Sequence, residues 1–339
     1  MAEHTDRRRF MSSAVLGAVG AGAMLSLEEK SLQAARDDGG RGRERHAPYR
    51  GESLPCGQVG ELTISRLLLG GNLFGGWAHS RDLLYVSRLL REYNTDDRIL
   101  DTLELAEHSG VNMIQVDPSC VEHIVRYRRE RGGKMQMLVC LNVDPLDPAQ
   151  VRGQVKQLVD LGVEALYGHG ERTDHLTMNN QVDVIGRTID LIKMAGVPAG
   201  VGSHSLQTPI ACEKGGIAND FYVKTFHPDN YWSATPAERR EEWCWYAGSS
   251  NDHERYHDNI FDLHPDRTEA FMKGVKKPWF AFKVMAAGAI PAQVGISHAF
   301  QHGADFVVAG MFDFQLAADV EIAVKALKRS RNRERPWFA

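Results

Sequence analysis

From about residue 60 onward, short apolar and β-branched runs alternate with amphipathic stretches of helical period. Eight runs read as strands: Ser65–Gly70, Asn112–Val116, Met135–Val143, Ala165–Gly168, Ala199–Gly202, Asp220–Thr225, Trp279–Met285 and Phe306–Ala309. Between them the pattern predicts helices over Arg98–Ser109, Asp147–Leu161, Val182–Ala195, Arg267–Lys273, Ala292–His302 and Ala317–Arg329. Gly110, Gly162, Gly196 and Gly303 fall where a left-handed residue would end a helix, and each precedes an apolar strand start. Eight strand–helix units in series predict an α/β fold, a closed (β/α)8 TIM barrel. An open doubly wound sheet is the alternative. It is disfavoured because no GxGxxG follows the first strand and no GxxxxGK[ST] occurs. A stretch at about 228–264, rich in aromatic and charged residues, follows the sixth strand and reads as a cap over the barrel mouth.

The N-terminal pattern is different. Asp6-Arg7-Arg8-Arg9-Phe10-Met11 precedes an uncharged Ala/Gly/Val/Leu run to Leu27, with a cleavage candidate at Ala21-Gly22-Ala23. This resembles a twin-arginine export signal. The expected organisation is a signal peptide over 1–27, a polar linker over 28–56 and a barrel domain over 57–339. The expected location is periplasmic or otherwise extracytoplasmic, with the twin-arginine export machinery as a partner. The apolar run is too short for a comfortable membrane span, which takes ~20 residues, so no stable span is expected after cleavage.

The 339 residues carry 40 Lys and Arg against 44 Asp and Glu, a net charge of -4, with 43% hydrophobic residues. That composition excludes a disordered chain and a polytopic membrane protein, and the charge balance argues against nucleic acid as a partner. Five cysteines at positions 56, 120, 140, 212 and 244 form no CxxC, and are expected to be buried thiols.

In a barrel of this kind chemistry gathers at the C-terminal strand ends. The residues there are Asn72, Asp117, Asn142, Asp144, His169, Glu171, His204, Lys224, His227, Lys283 and Asp313. Four of them, His204, His227, Glu171 and Asp313, supply the nitrogen and oxygen donors that Zn, Mn or Fe would take. The alternative is that each histidine hydrogen-bonds a loop or the substrate. Lys224 and Lys283 each end an apolar strand, where desolvation lowers an ammonium's pKa and suits it to acid/base work or Schiff-base formation. With His169 and Asp117 they make up the expected catalytic set. The alternative for either lysine is a salt bridge to Asp117, Asp144 or Glu171. Asn72, Asn142 and Asp144 are expected to bind substrate, together with Tyr231 and Trp232 of the cap. Aromatic rings facing a polar cleft stack on the apolar faces of sugars, or else form the cap's own small core. Ala286-Ala287-Gly288-Ala289 and the segment Gly303–Gly310 could cradle a phosphate through backbone N–H groups, or could be small simply for close packing.

Glu61 to Gly76, with its Leu67-Leu68-Leu69-Gly70-Gly71-Asn72 core, resembles the opening of aldo/keto reductases, as do Gly110–Ile114 and Ala165–Gly170. The resemblance implies a barrel of that superfamily. It also implies a catalytic Asp, Tyr, Lys and His. Here Gln115 stands at the Asp position, Cys120 near the Tyr position and Asn142 at the Lys position, and only His169 matches. Without the Tyr proton donor and its Lys, reduction by that family's route should fail, so NADP is less expected than a divalent metal. Two short stretches, Asp220–Thr225 and Phe282–Ile290, resemble deoxyribose-phosphate aldolases, in which one lysine is the nucleophile. The expected function is an exported non-redox lyase, epimerase or isomerase acting on a sugar or sugar-derived carbonyl compound. The alternatives are an aldo/keto reductase-like NADP-dependent oxidoreductase and a non-catalytic ligand-binding barrel.

Overall fold

The computed structural model describes residues 46–77, 83, 85–141, 148–243 and 261–339. Eight parallel strands close into a ring in the order β10-β3-β4-β5-β6-β7-β8-β9. They are β3 (Leu67–Gly70), β4 (Met113–Val116), β5 (Gln136–Leu141), β6 (Ala165–Gly168), β7 (Ala199–Ser203), β8 (Phe221–Thr225), β9 (Trp279–Phe282) and β10 (Phe306–Ala309). All eight fall within or one residue beyond the runs read from the sequence, and the closed α/β barrel is as expected. The strands are short, and the two residue sets along them serve two cores. Leu68, Met113, Leu138, Ala165, Phe221, Val223, Phe280 and Phe306 fill the interior. Leu67, Leu69, Ile114, Val139, Val201, Tyr222 and Ala281 face the helices. That two-sided burial is why the strands read as continuous apolar runs.

The helices that cover the ring are α1 (Asn72–Gly75), α2 (Val86–Tyr93), α3 (Asp96–His108), α4 (Val121–Arg131), α5 (Pro148–Asp160), α6 (Gly170–Met178), α7 (Val182–Met194), α8 (Gln207–Lys214), α9 (Pro265–Met272), α10 (Ala292–Gln301) and α11 (Asp313–Arg329). The four capping glycines do take positive φ, from 81° at Gly196 to 112° at Gly303. Among the described residues no helix is long and apolar enough to cross a membrane.

The sequence pattern missed a hairpin, β1 (Cys56–Val59) and β2 (Leu62–Ser65), turned at Gly60 with φ 58°. Its Val59 and Ile64 join the interior cluster, so the hairpin plugs the N-terminal end of the barrel. Part of the expected linker is also packed. Leu54 is buried, and Tyr49 N donates to Ser109 Oγ at 3.0 Å. One glycine is required by space rather than by φ. A Cβ on Gly200 would lie 2.1 Å from the Phe221 ring, so β7 must be bare there for the aromatic stack of Phe221, Phe280 and Phe306 to fill the ring.

The floor is sealed by charge as well. Asp305 is completely buried at the start of β10 and accepts from Arg333 Nη2 at 3.0 Å, Arg335 Nη1 at 2.7 Å, Trp279 N and Phe338 N. The Arg66 guanidinium lies 4.4 Å from the Trp337 ring centroid and donates to the Asp305 carbonyl. Burial depresses the Arg333 guanidinium to about 10 against the pull of Asp305. The cysteines divide: Cys120, Cys140 and Cys212 are buried thiols as expected, but Cys56 is exposed on β1, whose outward positions face solvent.

Candidate active site at the C-terminal rim

The strands bring part of the expected set to one rim. Asp117 follows β4, His169 follows β6 and Lys283 follows β9. Burial lowers the His169 pKa, and the charges of Lys283 and Asp117 both reach the ring. His169 Nδ1 is buried with no hydrogen-bond partner among the described residues. Lys283 takes a left-handed backbone, φ 56°, in which a side chain is strained. Its ammonium sits 3.9 Å from the Phe261 ring centroid, a contact that favours the charged form. Beneath the rim, Gln115 Nε2 donates to the Tyr167 hydroxyl at 2.7 Å, and Cys140 Sγ lies 3.9 Å from Asp117 Oδ2. Asp117 Oδ1 accepts from Ser119 N and Ser119 Oγ.

Lys224 is elsewhere. The expectation that it shares a cavity with Lys283 is corrected by strand alternation. Phe221 and Val223 point into the barrel, so Tyr222 and Lys224 point out toward the helices. Lys224 is 0% exposed, donates to Thr225 O at 2.8 Å and lies 3.6 Å from Asp262 Oδ1. Burial lowers its pKa, and Asp262, Asp174 and Glu242 oppose the fall. It is the salt-bridged alternative, with a partner not foreseen.

The four expected metal donors do not assemble, and no group of three His, Cys, Asp or Glu among the described residues could hold a metal. His227 Nδ1 pairs with Pro228 O at 2.9 Å, and its Nε2 accepts from Phe261 N and Asp262 N at 3.0 and 3.1 Å. Both nitrogens are therefore committed to the backbone, which fixes a neutral ring, and burial pushes the pKa down to about 4. Asp313 accepts from Tyr93 OH at 2.6 Å and Arg98 Nη1 at 2.9 Å at the start of α11. Glu171 is exposed on α6. His204 Nδ1 lies 3.0 Å from Asp174 Oδ2.

Of the expected substrate contacts, Asn72 opens α1 at the end of β3, half-buried. Asn142 and Asp144 lie outside the described residues, as do Cys244 and the cap aromatics Trp245, Tyr246 and Tyr256. Tyr231 is half-buried and packs edge-on against His227 at 5.8 Å. Trp232 is 95% exposed among the described residues. The expected phosphate loop after β9 spends its amides on itself. Ala286 N donates to Lys283 O, Gly288 N and Ile290 N to Met285 O, and Ala289 N to Ala286 O. The small residues there serve a tight turn, with Ala286, Ala287 and Gly288 all at positive φ.

No protein-family model matches the chain, and no curated protein matches it in sequence. Its fold is similar to solved structures. A protein from Pseudomonas aeruginosa described as an aldo-keto reductase is 18% identical, with a TM-score of 0.55 over 81% of this chain and 97% of that one. A second such structure from the same organism is 16% identical, with a TM-score of 0.53 over 81% and 98%. The likeness, at this level of identity, establishes the TIM-barrel fold.

Proposed function

We propose that the chain is an enzyme that moves a proton next to a carbonyl, an isomerase, epimerase or lyase acting on a sugar or sugar-derived carbonyl compound after export by the twin-arginine route. The observation that carries the reading is the placing of the Lys283 ammonium, set against the Phe261 face, where its charge acts on the His169 imidazole, whose pKa burial lowers. A fixed cation at the rim stabilises the negative oxygen that develops as an α-proton leaves, and such preorganised charge is worth several kcal/mol in a water-poor site. Neutral His169 can donate to or accept from a substrate hydroxyl. Three of the four positions that would serve hydride transfer in the family resembled are Gln115, Cys120 and Asn142. Gln115 is tied to Tyr167 and Cys120 is buried.

The test is exchange of the α-proton for solvent deuterium, followed by NMR over a panel of aldoses, ketoses and 2-keto acids. Exchange by the wild type and its loss in Lys283→Met support the reading. A borohydride-trapped adduct on Lys283 would replace the acid role with a Schiff base. A second reading, an NADP-dependent oxidoreductase, is favoured by the fold likeness alone. Quenching of NADPH fluorescence with turnover would put it first.

A further inference from the structure

The rim as described has an electrophile in Lys283 but leaves the base unnamed, and a buried carboxylate behind the barrel wall points to it. Asp174 is on α6, 1% exposed, and spends its oxygens on one short segment. It accepts from His204 N at 2.7 Å, from Ser205 N at 3.3 Å and from Thr208 Oγ1 at 2.8 Å, besides the His204 ring at 3.0 Å. Three donors from residues 204 to 208 fix that oxygen pair as the acceptor, so the ring gives up its Nδ1–H to Asp174 and carries its lone pair on Nε2. The space for the ring is provided by a bare position. A Cβ on Gly170 would lie 3.2 Å from His204 Cε1 and 3.3 Å from Ser203 N. The ring centroid is 5.5 Å from that of Phe282 and 6.2 Å from that of Phe261, the ring that carries the Lys283 ammonium. Imidazole and ammonium thus flank the same aromatic pair.

We propose that His204 is the general base of the rim site and that Asp174 is its positioning residue, a proposal that rests on the carbonyl reading above. The step balances within the pair. The substrate's α-C–H bond breaks, the proton goes to His204 Nε2, the electron pair moves into the carbonyl, and the resulting enolate oxygen is held by the Lys283 ammonium. Return of the proton to either face or to the neighbouring carbon completes an epimerisation or isomerisation. The charged groups facing Asp174 are Lys224 from β8, with Asp262 and Glu242 around that lysine, and the Cys212 thiol from α8. Burial raises the Asp174 carboxyl to about 7, while the donors and Lys224 hold it down. A buried, hydrogen-bonded carboxylate is a strong orienting partner for an imidazolium that forms in the reaction.

Two measurements on the full-length protein test this. Nitrogen-15 spectra of histidine-labelled protein, assigned with His204→Gln, should show the His204 ring protonated at Nδ1 when neutral, and Asp174→Asn should change that tautomer balance or lower the ring's titration midpoint. A ring protonated at Nε2 overturns the proposal. With a substrate from the deuterium-exchange panel, His204→Gln should lower kcat by about 100-fold or more with KM little changed, and Asp174→Asn should lower it less, with Asp174→Glu recovering part. Undiminished exchange in His204→Gln sinks the base assignment while leaving the Lys283 reading intact. If the wild type exchanges no carbonyl compound at all, the functional reading fails, and His204's catalytic role fails with it whatever its tautomer.

Discussion

The two ends of this barrel are built on opposite terms. At the floor, the polar atoms described are matched. Asp305 meets two guanidinium groups and two backbone amides, and the arginines stack on Trp337 and Phe338. At the rim, His169 Nδ1 is buried without a partner among the described residues, and Lys283 is held in a strained backbone. Strain and unmet hydrogen-bonding capacity are tolerated where the chain must do something to another molecule, and they are supported by rigid structure elsewhere. The strap Phe261–Leu263, whose first two amides His227 holds and whose Leu263 carbonyl Arg240 holds, presents Phe261 to the rim.

The largest effect expected is at the floor. Asp305→Ala leaves two buried cations without a counter-charge, which costs about 3–5 kcal/mol. A thermal melt should show a midpoint lower by on the order of 10 °C, or failure to fold. A change of a degree or two would mean that the clasp is not what closes the floor.

Next comes the strap. The His227 value of about 4 is depressed below the ~6.5 of an unfolded histidine. Its contribution is therefore fully present above pH ~6.5 and is lost as pH falls toward 4, a difference of ~3 kcal/mol. Urea midpoints measured between pH 7 and 4 should fall more steeply in the wild type than in His227→Gln. Asp174 works in the opposite direction and His298, also pushed down to about 4, in the same one, so the difference between the two proteins is the quantity to read.

Smaller effects should separate strain from stability at the rim. Lys283→Gly relieves the positive φ and should stabilise the fold by about 1 kcal/mol while abolishing exchange. Calorimetry and the deuterium assay on one preparation decide it, and a destabilised variant would mean that the ammonium contact outweighs the backbone strain. Trp232→Ala should shift stability by less than about 0.5 kcal/mol, since the ring is almost wholly in water. A large loss of substrate affinity in that variant would restore the ring's expected role in binding.

The strands were legible because a barrel strand is apolar on both faces, and the glycine caps were legible because αβ loops are short. Helix α4 was not, because its VEHIVRYRRER sequence is dominated by charge and only Val121, Ile124 and Tyr127 are fully buried. The hairpin was missed because four-residue strands with one buried position in two carry little periodicity. Lys224 was misplaced although the signal was present, since in Phe221-Tyr222-Val223-Lys224 strict alternation puts the lysine with the outward tyrosine. His169 and Lys283 could be placed at the rim from sequence because they lie just past their strand ends. Asp174 could not be found, since it sits mid-helix and acquires meaning only through a neighbouring strand's histidine.

The floor clasp also has a consequence for the order of events in synthesis. Strand β10 pairs with β3, more than two hundred residues earlier, and the guanidinium groups that cover Asp305 come from residues 333 and 335. The clasp on Asp305 therefore cannot form until residues 333 and 335 have left the ribosome, long after β3 has.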